Sequence, residues 1–527
     1  MLRARTCLGG MVTAPHHLAA EAGAQILREG GNAIEAMVAS AAAIAVVYPH
    51  MNAIGGDGFW LISRPGEDVV GVRACGPAAG LATKEFYAAH GDALIPTRGP
   101  RAALTVAGAV AGWAEAHQIA AEAGGRLPLA RLLEDAIRHA RNGVPITASQ
   151  EHLTRAKWAE LKDAPGFAQT FAADGPPKQN DVLQQPALAA TLQRLAEAGL
   201  DDFYRGDVAR KLAAGLEAVG SSVRLNDLET FRARRVTPAT LRLAQGDVFN
   251  MPPPTQGCSS LMILGLFGRL GVKQAETPAH IHGLVEATKR AFLLRNAHLC
   301  DPDRMGDTWQ GWLQEPTLAR EAAEIDMSRA ASWPQIAKPG DTIWMGAADS
   351  QGNVVSYIQS IYWEFGSGVV VPGTGVVWQN RGASFTLTPG PNELEPGRLP
   401  FHTLNPAIAR LEDGRTIAYG TMGGEGQPQT QAAIFTRHVL FGQDMQAAVS
   451  APRWLLGRTW GDDSTNLKLE SRFAPEIIEA LRALGHEVEV VGDHDDMMGH
   501  AGMVSIAANG VISGATDPRA DGACGSF

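Results

Sequence analysis

The stretch KPGDTIWMGAAD, Lys338 to Asp349, runs a Pro-Gly-Asp turn into an apolar segment whose first strand-like residue is Thr342. A threonine hydroxyl inside a chain is a poor nucleophile. At a chain's N-terminus the free α-amine can take its proton, because that amine titrates near pH 8, at about 7.7–8.0. For Thr342 this chemistry requires a cut between Asp341 and Thr342, which composition and periodicity do not show. Arg73, in VVGVRACGP, stands at the end of an expected strand. A guanidinium there can fork onto a carboxylate, although by itself it reads first as a surface ion pair. His280, His282 and Glu286 open an expected helix, and only His282 and Glu286 share a face. Hydrogen bonding suits them better than metal ligation. His494, Asp495, Asp496 and His500 in GDHDDMMGH have ligand types but no metal-site spacing, and read as a solvated loop. GGDGF at Gly55–Phe59 precedes a strand and lacks phosphate-loop spacing, so a tight turn is expected. No GxSxG occurs, and Cys258 carries no nucleophile signature.

The elements that must position these groups can be outlined. Leu18 to Arg28 has helical periodicity, Gly30-Gly31 stops it, and Asn32 caps a second helix, Ala33 to Val47. Strands are expected at Phe59–Ser63 and at Asp68–Arg73, and helices through 108–145, 148–162 and 186–218. Residues 235–265 read as strand and turn, followed by a helix from about Ala279 to Leu299. Beyond Thr342 a hairpin turns at Ser350-Gln351-Gly352-Asn353. Residues 386–400 are too rich in Pro and Gly for an element and read as a surface loop, a candidate lid. A helix is expected near 426–450. This order predicts stacked α and β layers around a mixed sheet.

The 527 residues are 45% hydrophobic and 19% charged, which argues for a packed core rather than disorder. A net charge of −10 argues against a nucleic-acid partner. Five scattered cysteines without a CxxC pair suit a reducing compartment and neither a disulfide framework nor a zinc site. The N-terminus lacks a secretory apolar core, and the most apolar stretch, Ala33 to Tyr48, is short and carries Glu35. The expectation is a cytoplasmic protein with no membrane partner.

Four long motifs carry a resemblance: GGNAIEAMVASAAAIAVVYPHMNAIGGDGFWLI, VPGTGVVWQN, GTMGGEGQPQ at Gly420–Gln429, and GATDPRADGA. From about Gly10 to Ala523 the chain resembles the γ-glutamyltransferase family of N-terminal-nucleophile hydrolases. The resemblance implies an α+β fold, a four-layer αββα sandwich with two antiparallel sheets between helical layers. It implies a precursor that cuts itself between Asp341 and Thr342. Large (1–341) and small (342–527) chains then form a heterodimer and together one domain. It places the nucleophile at Thr342 and a hydroxyl that hydrogen-bonds it at Ser360. Gly423 and Gly424 fall on the oxyanion-hole glycines, and Arg73 on the arginine that holds the substrate carboxylate. No metal or organic cofactor is implied.

The sequence departs from the family pattern in one region of chemistry. Ser384 replaces the acidic residue that holds an α-ammonium, and Arg381 replaces a neutral polar residue. His402-Thr403 replaces a Ser-Ser pair that binds the α-carboxylate, and Tyr362, beside Trp363, replaces an asparagine. A pocket that loses an anion and gains a cation disfavours an ammonium. The expected substrate is therefore a small anionic amide without an α-amine. The oxamate-cleaving branch of the family, which yields oxalate and ammonia through a threonine ester, matches that description. The alternatives are a γ-glutamyl hydrolase or transferase acting on glutathione-like substrates, and a glutaryl or cephalosporin acylase.

Overall fold

A computed structural model describes residues 3–333, 340–457 and 465–527. Fourteen strands matter to the architecture: β1 Arg5–Cys7, β2 Gly10–Ala14, β3 Asp57–Ser63, β4 Val70–Ala74, β5 Arg234–Val236, β6 Ala239–Leu243, β7 Gly246–Asn250, β8 Asp341–Asp349, β9 Val354–Tyr362, β10 Ala407–Leu411, β11 Thr416–Thr421, β12 Ala501–Ile506, β13 Ile512–Thr516 and β14 Ala523–Ser526. They form two seven-stranded sheets. The first runs β14-β2-β8-β9-β3-β4-β5 and the second β1-β13-β12-β11-β10-β7-β6. Neighbours in both are antiparallel. The mixed sheet expected from element order is thus corrected to two antiparallel sheets, as the family resemblance implies.

Helices cover both outer faces. α1 (His17–Arg28), α2 (Ala33–Val47), α3 (Ala109–Glu122), α4 (Leu129–Asn142) and α5 (Pro186–Ala198) pack on the first sheet. α6 (Gly257–Phe267), α7 (Pro278–His298) and α8 (Gln427–Phe435) pack on the second. The result is an α+β sandwich of four layers, αββα. The α1–α2 boundary follows the sequence rule: Asn32 accepts from the N–H groups of Ile34 and Glu35, and Glu35 accepts from the Asn32 N–H at 2.9 Å. Residues 257–265, read as strand and turn, belong instead to α6. Every residue of α6 is buried, so it lacks the polar face that marks a helix in sequence. No helix among the described residues is long and apolar enough to cross a membrane.

Between the sheets lies a thin apolar layer that includes Met11, Phe59, Leu61, Trp344 and Ile358 of the first sheet and Ile408, Ala418 and Val504 of the second. Trp344 anchors β8 there. Its indole donates to Ser356 Oγ at 2.9 Å. It also lies where a Cβ on Gly420 or Gly502 would come within 2.2 or 2.4 Å of the ring, so both positions need glycine. Two residues before this anchor is Thr342.

Candidate active site

Strand register assembles the first row of the site. Ser360 pairs with Asp57, Gly58 with Ala74, and Ile343 with Gln359 across a bulge. Side chains alternate along a strand, and Phe59, Trp344 and Ile358 face the inter-sheet layer. Thr342, Ser360, Asp57 and Cys75 therefore line one end of that layer on four adjacent strands or their ends. Glycines permit the close approach that aligns them: a Cβ on Gly56 would lie 2.2 Å from the Ser360 carbonyl. The tight-turn reading of GGDGF agrees with this.

Thr342 is fully buried, and its Oγ1 accepts from Gln427 Nε2 at 3.4 Å. Ser360 Oγ accepts from the Tyr362 N–H at 2.8 Å, which holds the end of β9. Tyr362 has φ +83°, a costly conformation for a bulky residue. That conformation delivers its ring to the Arg381 guanidinium at 3.8 Å. β8 starts at Asp341, with the bulge in its pairing to β9 falling at Thr342, and Gly340 is wedged between two site residues. A Cβ on Gly340 would come 3.2 Å from Gly424 Cα and 3.3 Å from the Tyr362 ring.

Gly423 (φ +114°) and Gly424 (φ +52°) turn the chain from β11 toward α8. Neither of their N–H groups has an acceptor among the described residues. Two amide donors without acceptors among the described residues, on a loop packed against Gly340 two residues before Thr342, can receive a developing oxyanion.

Arg381 is 0% exposed, and its guanidinium lies 3.4–3.5 Å from Thr403 Oγ1 with Nε unpartnered among the described residues. Burial lowers its pKa to about 10. Ser384 Oγ donates to the Arg381 carbonyl at 2.9 Å. That bond ties Ser384 to the turn that carries Arg381. His402 Nε2 and Asp57 Oδ2 share a hydrogen bond of 2.9 Å, both side chains being fully buried. Asp57 Oδ1 accepts from Gln379 Nε2 and from the N–H groups of Gly76 and Gly108. Burial raises the Asp57 pKa to about 7 against the pull of Arg381, while burial and then Arg381 hold His402 well below its ordinary value and neutral.

Arg73 sits on β4 opposite Phe59, partly exposed, and has no ion pair among the described residues. The surface ion pair that its context first suggests is absent there. Its strand is three removed from that of Thr342, about 14 Å at about 4.8 Å per strand. Sequence spacing alone does not mark Asp57, Gln427 or Gln256 as site residues. Asp57 and Gln427 lay inside recognised motifs, and an acid at the start of an apolar strand was the available signal for Asp57.

Groups weighed for metal binding lie elsewhere. His282 Nδ1 is 2.8 Å from His486 Nε2, and with Glu286 they form the one three-ligand cluster among the described residues. Lys289 Nζ donates to Glu286 at 2.7 Å and so supplies the cation there. The hydrogen-bonding reading of His282 and Glu286 fits these contacts. The 494–500 segment is not wholly solvated, because His500 is buried.

The sequence model of the gamma-glutamyltranspeptidase family matches residues 19–527. The chain belongs to this family. It is 55% identical to the oxamate amidohydrolase proenzyme of Klebsiella pneumoniae over 98% of each chain. It is 39% identical to a glutathione hydrolase-like proenzyme of Bacillus subtilis over 97% of each. The solved cephalosporin acylase of Bacillus halodurans superposes with a TM-score of 0.91 at 33% identity, covering 100% of this chain and 97% of that one. Membership makes this chain a hydrolase of carbon–nitrogen bonds in the N-terminal-nucleophile class, with family members on both sides of its fork between γ-glutamyl and other amide substrates.

Proposed function

We propose that this chain cuts itself between Asp341 and Thr342 and that the freed Thr342 hydrolyses oxamate to oxalate and ammonia. The observation that carries the reading is Arg381. A fully buried cation without a carboxylate partner among the described residues shares the Tyr362 ring with Gly340, the segment that would leave on cleavage. A buried site with one cation suits an anion. The name of the 55% identical relative supports the same substrate.

In this mechanism the Thr342 α-amine takes the Oγ proton and Oγ attacks the amide carbonyl. The N–H groups of Gly423 and Gly424 hold the oxyanion, and Gln427 orients the hydroxyl. Arg381, with Thr403 beside it, binds the carboxylate. The amide nitrogen takes the proton and leaves as ammonia, giving a Thr342 ester. Water then attacks the ester, releases oxalate and returns the proton to Oγ. Ser360 supports the strand end. Arg73 would be an outer cation that draws anions in.

Ammonia release from oxamate, with glutamine and glutathione beside it, tests the reading. Fast turnover of oxamate alone is expected, and turnover of the γ-glutamyl compounds instead would overturn it. Arg73, without an ion pair among the described residues, favours one second reading, an acylase for a longer anionic acyl group such as glutaryl. A glutaryl amide cleaved faster than oxamate would select it.

A further inference from the structure

The oxyanion loop and the anion-binding loop do not hold themselves. Gln256, at the N-terminal cap of α6, joins them. Its side-chain amide donates to the Thr403 carbonyl and to the Gly424 carbonyl, both at 2.8 Å. Its backbone N–H donates to the His402 carbonyl at 3.0 Å. Its Oε1 accepts from Arg295 Nη1 at 2.9 Å, and Arg295 Nη2 reaches Glu425 at 2.7 Å. The Arg295 guanidinium lies 3.6 Å over the Phe292 ring. Gln256, Arg295 and Glu425 are all buried. Carbonyls only accept, so the amide nitrogen must face Thr403 and Gly424, and Arg295 fixes that orientation from the oxygen side.

We infer that Gln256 is a positioning residue for the reaction: it locks the Gly423–Gly424 oxyanion donors to the His402–Thr403 loop, with Arg295 and Glu425 holding its amide in place. The inference rests on the proposed roles of Thr342, Gly423 and Gly424. The arrangement has a direct consequence for both reactions of the site. Self-cleavage and turnover would use the same two N–H donors, and their placement depends on the Gly424 carbonyl that Gln256 fixes. Gln256 and Arg295 fall on the large-chain side of the proposed cut, and Thr403, Gly424 and Glu425 on the small-chain side. The lock therefore spans the two chains.

The test compares Q256M and Q256E with the parent chain for self-cleavage rate, and for kcat and KM on oxamate with matured protein, below the Tm of every variant. Q256M keeps the volume and loses both donors, leaving buried carbonyls unpaired. It should slow self-cleavage and lower kcat by about tenfold or more, short of the roughly 10²–10³ cost of deleting an oxyanion donor, with KM changing less than kcat. Q256E, closer in shape to glutamine, should be at least as impaired, because a carboxylate oxygen would face two carbonyls. A packing role predicts the opposite order. Parental self-cleavage and kcat in Q256M, or Q256E nearer the parent than Q256M, overturns the inference. If Q256M does not fold, E425Q replaces it: both rates should fall together, and parental rates overturn the inference. T342A run in parallel separates the two proposals, because a T342A chain that still cleaves or turns over defeats the site reading itself.

Discussion

At the residue scale, the proposed chemistry depends on charges that burial has left nearly uncompensated. Arg381 has no carboxylate in contact among the described residues and only long bonds to Thr403. R381M should lower kcat/KM for oxamate by about tenfold to a hundredfold, the range for losing hydrogen bonds to a charged group, whereas R73M should cost less, measured by steady-state kinetics at fixed salt. Asp57 adds a pH dependence. Its pKa is raised to about 7 by burial, so below that pH it is neutral and would leave Arg381 free for the proposed substrate. Above it, the Asp57 carboxylate competes for Arg381, so KM for an anionic substrate should rise as pH passes through about 7. D57N should flatten that rise. The same shift has a stability sign: with a folded pKa above the unfolded carboxylate value, the stabilising contribution is fully present below about pH 4 and is lost as pH rises through about 7.

At the element scale, the strand that bears Thr342 is gripped in the inter-sheet layer by Trp344, and its preceding segment is held against Gly424. G424A tests that contact. A Cβ there would lie 2.9 Å from the Gly340 carbonyl on a residue with φ +52°, so strain enters where the proposed cut must occur. Self-cleavage followed by intact mass should slow by about tenfold or more, while far-UV circular dichroism should be unchanged. Wild-type maturation should give fragments of about 36 and 20 kDa, the shares of the 55.7 kDa chain on either side of residue 341. The 386–400 stretch does lack regular elements, although Thr386 bridges Glu393 and Leu394 is buried, so it is anchored at its start.

At the scale of the whole molecule, the proposed large and small chains interleave. In the first sheet β8, β9 and β14 would come from the small chain and β2 to β5 from the large one, and in the second β10 to β13 insert between β1 and β7. The two chains should therefore coelute after maturation and separate only on unfolding, which size exclusion with and without denaturant checks. The GATDPRADGA motif contributes to a buried ion-pair cluster that lies wholly on the small-chain side. Asp517 accepts from Arg453 and Arg519, and Arg519 also reaches Glu470. Burial would raise the carboxyl of Asp517, yet Arg453 and Arg519 outweigh it and hold it below the ordinary range. Its stabilisation is present above the usual carboxylate pKa and is lost as pH falls through the depressed value. D517N should cost about 3–5 kcal/mol by leaving the buried Arg453 without its carboxylate partner, read from denaturant midpoints near neutral pH.

The sequence by itself determined much of this protein. Capped and periodic elements such as α1, α2 and the β8–β9 hairpin obey local rules, and the long motifs carried the family, its αββα fold and the candidate positions Thr342, Gly423, Gly424 and Arg381. Local signals failed where burial removes them: α6, apolar on every side, read as strand and turn, and two antiparallel sheets read as one mixed sheet. What only the tertiary structure decided is which distant groups share a space. Asp57 meets His402 across 345 residues, and Gln256 meets Gly424 across 168. Such contacts leave no periodicity or spacing in the chain, because they arise only when the two sheets stack and bring their strand ends together.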